Sequence, residues 1–162
     1  MNWNTLFTMQ YELDQYILKQ HDVKNEEIFD KKLLALLVEV GELANETRCF
    51  KYWSLKPPSE KSVIAEEYVD GIHFILSLGL ALGIDTYQPK EIEKKEEELT
   101  TSFLHIYEAI QILSNKRTSS VFYNLFDTYL QLGLQLGFTS NDIKNAYMEK
   151  NKINFERQNS GY

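Results

Sequence analysis

The chain predicts an all-α fold: a single domain over residues 1–162, built as a helical bundle of about six helices. Three observations carry this. Apolar residues recur at three- and four-residue intervals along almost the whole chain, the period of a half-buried helix. No segment shows the alternation of a strand bounded by hairpin turns. The chain has 162 residues and 43% apolar content, enough for one core, and carries no low-complexity stretch that would divide it.

The first helix is predicted over Trp3–Gln20, where Leu6, Met9, Leu13, Ile17 and Leu18 fall on helical spacing. The second runs to Thr47, with Asp30 as its expected N-cap. Pro57 and Pro58 break the pattern, so Phe50–Glu60 reads as a loop. The third helix covers Glu60–Leu82 and ends near Gly83. The fourth is expected to start after Pro89 with the mixed-charge stretch EIEKKEEEL and to continue through Phe103, Tyr107, Ile110 and Leu113. The fifth spans Ser119–Leu136 and stops at Gly137. Thr139 and Ser140 offer caps for a sixth, Ser140–Arg157. Two short stretches echo each other, LSLGLALG at 76–83 and LQLGLQLG at 130–137. The match is too short for a solenoid repeat, and it reads as two helices with small residues at a close crossing.

Composition narrows the function. A net charge of −7 argues against a nucleic-acid surface, which needs a basic stripe. The longest apolar stretch, Phe74–Ile84, is about half of what a bilayer requires, so no membrane partner is expected. Cys49 is the only cysteine, so no intrachain disulfide forms, and the first residues lack the pattern of a signal peptide. A reducing, cytoplasmic setting is expected.

The chemistry lies in two acid pairs. Glu39 and Glu42 are three apart within KKLLALLVEVGELANET (31–47), and Glu67 and Asp70 are three apart within VIAEEYVDGIHFILSLGLALGI (63–84). Residues three apart share a helical face. Both segments are apolar nearly all round and therefore buried, so their acidic strips must line something internal. A buried carboxylate needs a cation. Ion pairs with Lys or Arg are one source. A hard divalent ion is the other, and four convergent carboxylates suit it. Zinc would want Cys or His, and the three histidines are scattered. A di-iron site needs two Glu-x-x-His motifs, and only Asp70-x-x-His73 comes near. His73 by itself reads as a core histidine. An oxygen-only set favours Mg²⁺, two or more ions, working on a phosphorylated substrate. At the other end of the chain Lys150, Asn154 and Arg157 fall at i, i+4 and i+7, one face of the last helix. Without a ligand they would be a solvated face.

Three segments carry a resemblance: EVGELANETRCFKYW (39–53), EEYVDGIHF (66–74) and the tail AYMEKNKINFERQNSGY (146–162). In order along the chain, they resemble the dimeric dUTPase family, which belongs with the MazG proteins to the all-α NTP pyrophosphatases. The ExxE…ExxD part is common to that superfamily, whereas FKYW and the tail are specific to the dUTPase branch. The first-helix pattern is represented here by Gln10 and Asp14. The resemblance implies a homodimer that hydrolyses dUTP to dUMP and diphosphate, and often dUDP as well. Glu39, Glu42, Glu67 and Asp70 would hold Mg²⁺, with one of the first pair also orienting the attacking water, while Lys150, Asn154 and Arg157 would meet the phosphates and sugar. For the base, Trp53 offers a stacking face, and Gln10, Asn45 or Asn151 an edge for hydrogen bonds. Two other readings stay open. One is a MazG-like house-cleaning enzyme acting on another nucleotide such as dCTP. The other is a non-catalytic helical binding protein that kept the fold.

Overall fold

The computed structural model describes residues 1–24, 28–89 and 92–162. It contains six α-helices and, among the described residues, no strand: α1 (Trp3–His21), α2 (Phe29–Thr47), α3 (Lys61–Ala81), α4 (Leu99–Asn115), α5 (Ser119–Gln135) and α6 (Ser140–Asn159). The all-α expectation is borne out, and five of the six helices lie within two residues of their predicted ends.

The fourth helix is the exception. Residues 92–98 are not helical, and α4 begins only at Leu99. The charged stretch before it has almost nothing to bury: Glu93 to Glu96 are exposed. Most helical stability in proteins comes from packing an apolar face, and a strip without one does not form. Residues 90 and 91, also assigned to that helix, lie outside the described residues. Glu97 has a different task, accepting from Ser102 Oγ at 2.8 Å in the first turn of α4, where an anion is favoured by the helix dipole.

Asp30 is likewise not a cap. The cap position of α2 is Ile28, with no side-chain bond, and Asp30 sits inside the first turn, 2.5 Å from Arg117. The helix starts earlier because Phe29 is buried and anchors it. Thr139 does cap α6. Its hydroxyl accepts from the Asp142 amide while the Asp142 carboxylate accepts from the Thr139 amide, a reciprocal capping box.

The third helix is the centre of the bundle. It contacts α1, α2, α5 and α6, while α4 packs on α2 and α5. Going up α3, Ser59 near its start bonds Glu46 of α2, and Glu67 and Asp70 further along meet Glu39. Rising numbers on α3 thus match falling numbers on α2, and the two helices are antiparallel. Gly83 and Gly137 end α3 and α5 in the left-handed region, at φ +77° and +78°, where a side chain is strained.

The echoed glycines do not seat one helix on the other. Two of them, Gly79 and Gly133, leave room for an aromatic ring. At Gly79 a Cβ would come 2.6 Å from Phe122, and at Gly133 2.4 Å from the Tyr68 hydroxyl. Tyr68 and Tyr129 stack at 4.8 Å, and each hydroxyl donates to the other's main-chain carbonyl, at 3.1 and 2.9 Å. Gly71 completes this clasp between α3 and α5: a Cβ there would lie 2.0 Å from the Tyr129 hydroxyl. Gly71→Ala is therefore expected to destabilise the fold by about 1–3 kcal/mol through overpacking, read as a lower urea midpoint at unchanged slope. An unchanged midpoint would show that the clasp yields without cost.

Candidate functional site

Four helices supply one cleft. Its walls include Gln10, Leu13, Asp14 and Ile17 of α1, Glu39 of α2, Asp70, His73, Phe74 and Ser77 of α3, and Lys150, Asn154 and Arg157 of α6, with Tyr162 beyond. The cleft has a volume of about 290 Å³.

Three of the four predicted acids converge. Glu39, Glu67 and Asp70 each offer a carboxylate oxygen, and these atoms lie within 4.8 Å of one another. Glu42 is exposed one turn further along α2, close enough for its charge to act on Glu39 and Glu67. Burial, and then the neighbouring charges of Asp70, Glu42 and Glu67, push the Glu39 carboxyl up to about 7. Glu67 is raised by burial and by Asp70 and Glu42. Asp70 is raised by burial, against the pull of Lys150. Such a cluster lacks positive charge, and its all-oxygen donor set fits a hard divalent cation. Among the described residues it is the one carboxylate group of this kind.

The raised Glu39 has a measurable consequence. Its folded pKa lies above its unfolded value, so the folded state binds the extra proton between about pH 4.5 and 7. This contribution disfavours the metal-free fold increasingly as pH rises through that window. Glu39→Gln is thus expected to be more stable than the native protein at pH 8 without metal, and to gain nothing at pH 4. Urea titrations at the two pH values measure this; a lower midpoint for the variant at pH 8 would overturn it.

Lys150 forms the opposite wall. Its Nζ lies 2.7 Å from Asp70 Oδ2 and 2.8 Å from Glu66 Oε1. Burial pulls its pKa down, but the bonds to Asp70 and Glu66 outweigh this and hold it above the usual value. The ammonium therefore stays charged beside the acids. Asn154 and Arg157 follow on the same face of α6 and line the same cleft. The Arg157 guanidinium stands 5.3 Å from the Tyr162 ring, whose residue donates its amide to Arg157 O at 3.1 Å. The end of α6 is tied down on α1: Tyr16 donates to Asn159 at 2.5 Å, and its ring lies tilted against Phe155 at 5.5 Å.

The four residues considered for the base separate. Gln10 is buried and lines the cleft. Asn151 is buried but is not a cleft-lining residue, and its Nδ2 has no hydrogen-bond partner. Asn45 is exposed on α2. Trp53 is 64% exposed in the loop between α2 and α3, edge-on to Tyr52 and Phe50 at 5.1 and 5.9 Å. It does not line the cleft of its own chain.

Several cleft residues carry no site role in the sequence reading, among them His73, read there as a core histidine, and Asp14, named only in the first-helix pattern. His73 packs like a core histidine, stacked on Tyr147 at 4.1 Å. Burial, and then the Lys150 charge, push it down to about 3, so it is neutral. Its Nδ1 meets Gln10, but its Nε2 is buried with no partner. Asp14, Phe74 and Ser77 complete that end of the cleft. The signal was present: Asp70, His73 and Ser77 fall at i, i+3 and i+7, and Gln10, Asp14 and Ile17 at i, i+4 and i+7. Asp70 and Gln10 stood out singly, but the sets did not, because most of their other members are neutral or apolar.

No helix is long and apolar enough to cross a membrane among the described residues. No curated protein matches the chain. A family model described as dUTPase matches residues 2–162. That span takes in all six helices and every cleft residue, so the chain belongs to the dUTPase family and is a dUTP diphosphatase.

Proposed function

We propose that this cleft hydrolyses dUTP to dUMP and diphosphate in a Mg²⁺-dependent reaction, and that it accepts dUDP as well. One observation carries the reading: Glu39 and Asp70 of the carboxylate cluster line the same cleft as Lys150, Asn154 and Arg157. Glu39, Glu67 and Asp70 would hold the metal, with Glu42 at its edge. When bound, the ions neutralise phosphate charge and lower the pKa of water. The chain's own residues do the rest. One of the pair Glu39 and Glu42 orients the attacking water and takes up its proton. The water oxygen bonds to the α-phosphorus, the bond from that phosphorus to the bridging oxygen breaks, and diphosphate departs with the electron pair. Lys150 and Arg157 stabilise the charge that grows on the leaving group. Gln10 and the neutral His73 face the nucleoside end.

We further propose a homodimer. The apolar segment 74–84 is core: Ile75, Leu76, Leu78 and Ile84 are buried within one chain. The exposed apolar residues lie elsewhere, at Leu34 and Val38 of α2, Leu104 and Ile112 of α4, and Tyr52, Trp53 and Leu55 of the loop. Light scattering at micromolar concentration is expected to return twice the chain mass of 19.0 kDa; a monomer would count against the assembly.

A panel of dUTP, dUDP, dCTP, dTTP and UTP, each with Mg²⁺ or with chelator, tests the activity. Diphosphate release from dUTP, lost on chelation and weak for the other triphosphates, is the expected result. Preferential turnover of dCTP would favour the MazG-like reading. No metal-dependent release from any nucleotide would leave a non-catalytic binding protein.

A further inference from the structure

The end of the cleft formed by α1 and α3 rests on a chain of buried and part-buried hydrogen bonds whose direction can be worked out. Gln10 Nε2 lies 2.8 Å from Asp14 Oδ1. The other Asp14 oxygen accepts from Ser77 Oγ at 2.6 Å and faces Lys32 Nζ at 3.7 Å. A carboxylate so placed can only accept, so the amide nitrogen of Gln10 must face it and the amide oxygen must point the other way. That oxygen stands 2.7 Å from His73 Nδ1 and 2.8 Å from the Tyr147 hydroxyl. A carbonyl oxygen also only accepts, so His73 Nδ1 must carry the proton. In a neutral imidazole the other nitrogen is then bare. His73 is 5% exposed, and its Nε2 has no partner in the protein. A buried polar atom left unpaired is costly, and on a residue that lines a cleft it calls for a ligand group.

We propose that Asp14 is a positioning residue that sets the tautomer of His73 through Gln10, so that the cleft presents a bare imidazole nitrogen to a hydrogen-bond donor on the nucleoside. The donor is an N–H or O–H group: the imide of uracil or the 3′-hydroxyl of the sugar. Its assignment to the nucleoside rests on the proposed function; the tautomer does not. Asp14 need not touch the substrate to act. It reverses or holds a hydrogen-bond polarity two side chains away.

Two-bond ¹H–¹⁵N correlation spectra of the histidine rings read tautomers directly. The protein has three histidines, and His73→Gln identifies the signal that belongs to His73. In the native protein His73 is expected as the Nδ1–H form alone. Asp14→Asn allows the Gln10 amide to turn over, and a second, Nε2–H population should appear. Gln10→Met keeps the side-chain length but removes the accepting oxygen, and should produce the same shift with Asp14 in place; it decides the matter if Asp14→Asn does not fold. Tyr147→Phe leaves Asp14 and Gln10 intact and should keep the native form. In steady-state assays, Asp14→Asn should raise KM for dUTP roughly 10-fold, the order expected when a buried hydrogen bond is mispaired, with kcat changed far less. A 3′-deoxy analogue of dUTP suffers equally if the donor is the imide, and not at all if it is the 3′-hydroxyl. A native spectrum with His73 in the Nε2–H form, or an unaltered tautomer in both Asp14→Asn and Gln10→Met, overturns the proposal. The spectra need no nucleotide, so loss of the dUTP reading and loss of this one are separate results.

Discussion

Asp70→Asn is expected to lower kcat for dUTP by roughly 10³-fold, the upper order lost when one charge-stabilising group is removed from a reaction site. Two interactions go at once. The cluster of Glu39, Glu67 and Asp70 loses a charged oxygen, and Lys150 loses its 2.7 Å partner. The same substitution should also weaken the metal-free fold, because an ammonium buried to 8% side-chain exposure keeps only the exposed Glu66. Here the acids part company. Glu39→Gln should cost activity on a similar scale yet stabilise the apo-protein at pH 8, since no cation is hydrogen-bonded to Glu39 among the described residues. Stopped-time diphosphate assays with circular dichroism and urea melts of both variants make the comparison. Near-native turnover by a folded Asp70→Asn protein would remove α3 from the chemistry and sink the site.

Arg157→Ala is expected to lower kcat/KM for dUTP by roughly 10²-fold, the lower end of that same range. Arg157 lines the cleft from the last turn of α6, where it would meet a triphosphate that the acids otherwise repel. Lys150 is already engaged by Asp70 and Glu66, so Arg157 is the cation of that face with capacity to spare for phosphate oxygens. Arg157 is not one of the oxygen donors of the cluster, so Mg²⁺ titration without nucleotide should be little changed. The Arg157→Lys variant should recover only part of the loss, since an ammonium cannot replace a planar fork against two oxygens. Normal kinetics in Arg157→Ala would leave the end of α6 as a solvated surface.

What the sequence by itself determined is everything that repeats within one helix. Caps, glycine stops and three-to-four-residue apolar spacing located five of the six helices, because these signals act over a single turn. The acid pairs were legible for the same reason: Glu67 and Asp70 share a face whatever surrounds them. So were Lys150, Asn154 and Arg157. The late start of α4 was not legible, because the charged stretch has good helix formers and fails only for lack of a surface to pack against.

Only the tertiary structure decided which faces meet. Nothing local pairs Lys150 with Asp70, 80 positions earlier, or brings Gln10 of α1 to His73 of α3. Nor does the sequence tell that Glu42 stays at the rim while Glu39 goes in, or that Trp53 stands out in solvent away from its own cleft. Those outcomes depend on how α1, α2 and α6 are set around α3, and that is a result of packing. Ring against glycine at Gly71, Gly79 and Gly133 sets how closely α5 approaches α3. A sequence records which side chains each helix carries, but the distances between helices come from how their volumes fill a shared core.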